Sequence, residues 1–138
     1  MKPLISLAGL VMLAACTSQS GGQPAANPLE GSEWRLINLS GEAVAEDQRA
    51  TLAFSSNTSV SGSGGCNNFV GGVAVGEERI TFGNLASTRK ACIGPAMELE
   101  EGYLAVLSRA ARYDVEEGAL VLYAADGTLL ARYRPITQ

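Results

Sequence analysis

Leu120-Val-Leu-Tyr123, then Ala124-Ala-Asp-Gly127, then Thr128-Leu-Leu-Ala-Arg-Tyr133 is the passage that decides the fold. Two apolar runs flank an Asp-Gly pair, and Asp-Gly supplies the positive φ that a hairpin turn demands. The chain therefore closes on an antiparallel strand pair. Glu116-Glu117-Gly118 is a further turn signal, which makes Tyr113-Asp-Val115 the strand leading into that pair.

Working upstream, residues 95–112 read as a helix. Pro95 suits a first-turn position, where its missing N–H costs nothing. Glu98, Glu100 and Glu101 lie near the N-terminus and Arg109 and Arg112 near the C-terminus, which matches the macrodipole at both ends. Met97, Tyr103, Leu104, Leu107 and Ala111 recur at near-helical spacing and form the expected buried stripe. Gly102 weakens this helix by about 1 kcal/mol relative to Ala, so packing must hold it.

Further upstream the pattern returns to short strands. Trp34-Arg-Leu-Ile-Asn-Leu39 ends at the turn signal Ser40-Gly41, and Ala50-Thr-Leu-Ala-Phe54 is followed by Asn57-Thr58 and Ser59-Val-Ser-Gly62. A Gly-rich passage, Gly62-Ser-Gly-Gly-Cys-Asn-Asn-Phe-Val-Gly-Gly72, reads as turns and close backbone approaches. Val73-Ala-Val75 and Arg79-Ile-Thr-Phe82 complete the strand set. The fold class is α+β, a mostly antiparallel sheet with one helix inserted before its last three strands.

The N-terminal segment is an address. Lys2 precedes an apolar run over residues 4–15, too short for a membrane span of roughly 17–25 residues. The run ends Leu13-Ala14-Ala15-Cys16, the layout of a lipobox, in which the cysteine thiol is acylated and cleavage falls just before it. The expectation is a signal peptide over residues 1–15, a lipidated Cys16 carrying diacylglyceryl and palmitate, a flexible tether over residues 16–29 and one domain over residues 30–138. The tether carries no charge before Glu30 and no large apolar residue before Leu29, so it cannot offset its chain entropy by burial. Its reach is roughly 20 Å. Two acyl chains make a stable membrane anchor where one does not. Thr17-Ser18 lacks the Asp that retains lipoproteins in the inner membrane of enteric bacteria, which points to the outer membrane, facing the periplasm.

Composition excludes several activities. The formal charge is −4, and Arg89-Lys90 is the only adjacent basic pair, so no basic face for nucleic acid is implied. There is no histidine. A cysteine nucleophile without a neighbouring base and a zinc site built on two cysteines are both unsupported, and no cofactor is expected. Ser87-Thr-Arg-Lys90 matches S-x-x-K, but no S-D-N or K-T-G accompanies it. Glu98 and Glu101 share a helix face and read as solvated acids. The glycines at 62, 64, 65, 71 and 72 contain no G-K-[ST], so they make no phosphate loop. With Cys16 assigned to lipid, Cys66 and Cys92 remain, and an exported chain predicts their disulfide. The alternative is two buried, unpaired thiols.

Several segments together resemble the META family, which includes the HslJ-type heat-inducible lipoproteins of bacteria. They are Trp34-Arg-Leu36, Val60-Ser-Gly62, Gly65-Cys66-Asn67-Asn68-Phe69-Val70-Gly71, Leu85-Ala-Ser-Thr88-Arg89-Lys-Ala-Cys92 and Pro95-Ala-Met97 with Glu100. The resemblance implies a small antiparallel sheet curled into an incomplete barrel with one helix packed against it. It also implies a link to envelope stress and drug tolerance, with no agreed molecular activity. Two roles are open to the motif residues Asn67, Thr88, Arg89 and Glu100: a ligand site, or support of buried backbone groups around a turn. The function expected is a non-enzymatic envelope lipoprotein that binds an apolar ligand or an envelope protein. An inhibitor of an exported hydrolase such as lysozyme, and a structural or pilot-like assembly protein, are the alternatives.

Overall fold

The computed structural model describes residues 26–137. The signal peptide, Cys16 and most of the tether lie outside the described residues. Ten strands and one helix follow in the order β1 (Glu33–Leu39), β2 (Glu42–Ala43), β3 (Thr51–Phe54), β4 (Ser59–Ser63), β5 (Asn68–Val75), β6 (Ile80–Phe82), β7 (Ala86–Ser87), α1 (Pro95–Arg109), β8 (Arg112–Glu116), β9 (Ala119–Tyr123) and β10 (Leu129–Pro135). All pairings are antiparallel, in the order β6-β5-β4-β3-β1-β10-β9-β8, with β2 added on β1 and β7 on β5.

The two end strands meet. A bridge pairs Arg79 with Arg112, where the Tyr113 N–H donates to the Glu78 carbonyl (3.0 Å) and the Ile80 N–H to the Ala111 carbonyl (3.2 Å). The sheet is thus a barrel closed by a single bridge, which is the incomplete barrel expected. Alternation along the strands turns Leu36, Leu52, Phe54, Val60, Phe69 and Ile80 inward. Tyr103 of α1 and Tyr133 of β10 join them, their ring centroids 6.2 Å apart, and both are fully buried. The interior is therefore filled with side chains.

Three details differ from the sequence reading. The Gly-rich passage is not all loop, because β5 starts at Asn68 and runs straight through Gly71-Gly72 into the expected Val73–Val75 strand. Small residues there admit neighbours on both edges: β4 pairs with one side, β6 and β7 with the other. The helix buries Leu99, Glu100, Tyr103, Val106 and Leu107, while Met97 and Leu104 are only half-buried and Ala111 and Arg112 lie beyond its end. At the hairpin, only Gly127 of the Asp-Gly pair has positive φ (88°). Asp126 acts instead through its side chain, accepting the Thr128 N–H at 3.0 Å.

Two other turns use the left-handed region at both central residues. Ser40-Gly41 (φ 52° and 92°) joins β1 to β2, and Glu117-Gly118 (φ 51° and 80°) joins β8 to β9. Both residues at positive φ give the backbone twist of a two-residue hairpin. At the chain's entry, Asn27 and Leu29 are buried, and the Asn27 N–H donates to Asn57 Oδ1 at 2.9 Å. Asn27 is thus already held against the barrel.

Candidate functional site

Buried polar side chains are few: among the described residues they are Asn27, Asn67 and Glu100. Two of the three bind each other. Asn67 sits just before β5 and Glu100 in the second turn of α1, 33 positions apart. The Asn67 backbone N–H donates to Glu100 Oε1 (2.5 Å), and Asn67 Nδ2 donates to Glu100 Oε2 (2.7 Å). A carboxylate bound at both oxygens by charge-assisted hydrogen bonds tolerates burial that an unpaired one would not. The helix can come this close because residue 64 is glycine. A Cβ there would lie 2.7 Å from Glu100 Oε1 and Cγ.

The Asn67 amide is used to capacity. Its Oδ1 accepts the Lys90 N–H (2.7 Å) and the Thr88 hydroxyl (3.0 Å), while Nδ2 also donates to the Lys90 carbonyl (3.1 Å). Thr88 is paired twice to the next residue: its Oγ1 accepts the Asn68 N–H (3.2 Å) and its N–H donates to the Asn68 carbonyl (3.0 Å). Cys66 and Cys92 form a disulfide with Cα atoms 5.9 Å apart. The segment over residues 88–92 is thereby tied to residues 66–68 by side-chain, backbone and covalent links.

Of the four motif residues, the structure joins Asn67, Thr88 and Glu100 and leaves Arg89 out. Arg89 is exposed and takes no part in the network. Glu98 and Glu101 are exposed on the helix, and Ser87 belongs to β7, where it pairs with Phe69. Sequence reasoning missed the Lys90 backbone, which carries no side-chain signal, and Gly64, whose role is visible only once Glu100 is placed beside it.

The network is a brace and offers little chemistry. Every polar atom of the Asn67 amide is satisfied, and no group of three or more potential metal ligands gathers among the described residues. Cavities lie on the outside. One of about 420 Å³ beside the barrel seam is lined by Glu77, Glu78, Arg112, Tyr113, Asp114 and Tyr123. The Tyr113 hydroxyl there donates to the Gly76 carbonyl (2.7 Å), and its pKa is raised by burial, then by Glu77 and Asp114. Across the same strands, Glu116 pairs with Arg132 (2.9 Å) and accepts the Tyr123 hydroxyl (2.7 Å), which raises the pKa of that phenol. At this exposure the ion pair contributes at most about 1 kcal/mol.

An antiparallel barrel closed by one bridge, crossed by a single helix and braced by a buried Asn–Glu pair beside a disulfide, defines a small α+β class. The META domain model matches residues 27–135, and the chain belongs to that family. Solved structures agree. An NMR structure of a protein from Burkholderia xenovorans is 25% identical, with 92% of this chain and 100% of that one covered and a TM-score of 0.65. A second NMR structure is 27% identical over 77% of this chain and 90% of its own, with a TM-score of 0.63. A crystal structure of a DUF4847 family protein from Bacteroides vulgatus ATCC 8482 shares the fold at 11% identity and a TM-score of 0.63, over 80% and 96% of the two chains. Among curated proteins, none matches.

Proposed function

We propose that this chain is a non-enzymatic, lipid-anchored protein of the bacterial envelope, held at the outer membrane through Cys16, that acts by binding another envelope protein. The observation that carries the reading is the filled interior. Tyr103, Tyr133, Phe54 and Phe69 occupy the space where a barrel of this kind would hold an apolar ligand. The seam cavity is lined by charged and phenolic groups, which suits a hydrophobic molecule poorly. Recognition then falls to the outer surface. The link to envelope stress tolerance follows from the family resemblance, and a pilot-like assembly role is one form of the same reading.

Photo-crosslinkers placed one at a time around the barrel of the anchored protein in intact cells test it. The expected result is one dominant protein adduct at a contiguous set of positions. A scatter of abundant bystanders at every position would overturn the reading. Native mass spectrometry of membrane-purified protein checks the apolar-ligand version, and a stoichiometric co-purifying lipid would favour that version instead.

A further inference from the structure

Two arginines face each other where the barrel closes. Arg79 and Arg112 are the partners in the bridge that joins the end strands. The flanking bonds, Tyr113 N–H to the Glu78 carbonyl and Ile80 N–H to the Ala111 carbonyl, make theirs a non-hydrogen-bonded site. At such a site the Cα atoms are about 4.5 Å apart and opposite side chains are closest. The next residues, Ile80 and Tyr113, are buried in the interior. Alternation therefore turns both arginines to the outer face, where they are exposed. Like charges directly opposite destabilise a strand pair. The bridge that closes the sheet thus forms against its own charges.

No ion pair among the described residues relieves that repulsion. Neither guanidinium is in salt-bridge range of a described carboxylate; the pair that forms is Arg132–Glu116. Support of the helix dipole falls to Arg109, because α1 ends there and Arg112 already belongs to β8. Both arginines line one cavity of about 430 Å³ on the seam, whose other walls are Glu78, Ala111 and Ala125. Its lining therefore carries two cations and one acid. The adjoining cavity shares Glu78 and Arg112 but adds Glu77 and Asp114, so the excess positive charge is confined to the Arg79 side. Arg35 and Arg134 also stand opposite each other, between β1 and β10. There Arg35 donates to the Glu46 carbonyl, so that pair has an acceptor within the chain.

We infer that Arg79 and Arg112 form a binding site for one compact phosphate-type oxyanion, which bridges the two guanidinium groups across the seam and locks the barrel shut. Guanidinium groups bind such an ion through paired, charge-assisted N–H donors. Repulsion between two adjacent cations becomes attraction to a shared anion. An ion that binds only when the two strands are bridged also stabilises the fold by mass action. Two sources share this chemistry, the free ion and the phosphate monoester headgroup of a lipid. The site is independent of the protein-binding reading above.

The test is a thermal melt and a calorimetric titration of the protein, purified in a mild non-ionic detergent, with sodium phosphate at neutral pH. Sodium chloride holds the ionic strength constant. One ion should bind per chain, and the melting temperature should rise by roughly 5 °C at about ten times the dissociation constant. Both responses should vanish in Arg79→Gln and in Arg112→Gln and persist in Arg134→Gln, which removes a cation elsewhere on the sheet. Without phosphate the first two variants should melt no lower than the parent, because each relieves the repulsion. A lower value would mean that the arginines serve only to pack the seam, and would overturn the site. Detergent micelles containing phosphatidic acid, with phosphatidylcholine as the control, separate the sources. An arginine-dependent response to the micelles alone assigns the lipid headgroup, one to the free ion alone assigns inorganic phosphate, and one to both assigns the shared phosphate group. No response to either probe, an equal response to chloride, or one that survives both arginine changes would overturn the site.

Discussion

At the scale of single residues, the structure is most exposed to change where a polar group is buried. Removing the Glu100 carboxylate strands two donors, the Asn67 N–H and Nδ2, and leaves a void under the loop. Glu100→Ala should cost roughly 3 kcal/mol. Glu100→Gln keeps one acceptor but sets an amide NH₂ against Asn67 Nδ2, so its loss should be smaller than that of Ala. Urea melts of the two variants check the order, and equal losses would mean that the bonds carry no weight beyond packing. Tyr133 is the opposite case. Its hydroxyl is buried beside that of Tyr103 without a bond of acceptable geometry, while Tyr103 donates to the Thr51 carbonyl (3.1 Å). Tyr133→Phe removes the orphan group and should stabilise by about 1–3 kcal/mol. Burial raises the pKa of both phenols well above the usual value near 10. The unfolded chain releases those protons at the ordinary value. Stability is therefore whole below about pH 10 and falls above it, by up to ~1.4 kcal/mol per pH unit for each phenol. In Tyr133→Phe that alkaline slope should become shallower by one phenol's share, which melts between pH 9 and 11 measure.

At the scale of elements, α1 illustrates what local pattern can and cannot announce. Pro95, the charge placement and the 3–4 spacing marked the helix, because all three act within one turn of the chain. The buried face was misjudged by a few residues, since Glu100 ranks as a surface residue until Asn67, far away in sequence, is there to bind it. The same limit hid the length of β5. Gly71 and Gly72 carry no strand signal, and only the neighbouring strands on either edge make extended structure pay there. Gly102 weakens the helix by propensity, and its surroundings decide whether a glycine is needed there. A Cβ at that position would meet Leu39 Cδ2 at 3.5 Å, an ordinary van der Waals distance, with no requirement for positive φ. Gly102→Ala should therefore stabilise by up to about 1 kcal/mol through helix propensity alone. A lower melting temperature in this variant would show that β1 and α1 have no room to spare.

At the scale of the whole molecule, the barrel and the attachment proposed for it are separable devices. The single Arg79–Arg112 bridge closes the sheet, and the disulfide lies away from it, between the start of β5 and the start of α1. On a loop-entropy estimate the Cys66–Cys92 link contributes roughly 3.5 kcal/mol. Cys16 lies outside the described residues. If Cys16 is the acylated residue, Cys16→Ser should abolish palmitate labelling and release the protein from membranes. The variant should still be resistant to alkylation until reduced, and should melt at the parent's temperature. Labelling that persists in Cys16→Ser would remove the anchor from the proposed reading and leave the barrel's fold and stability untouched.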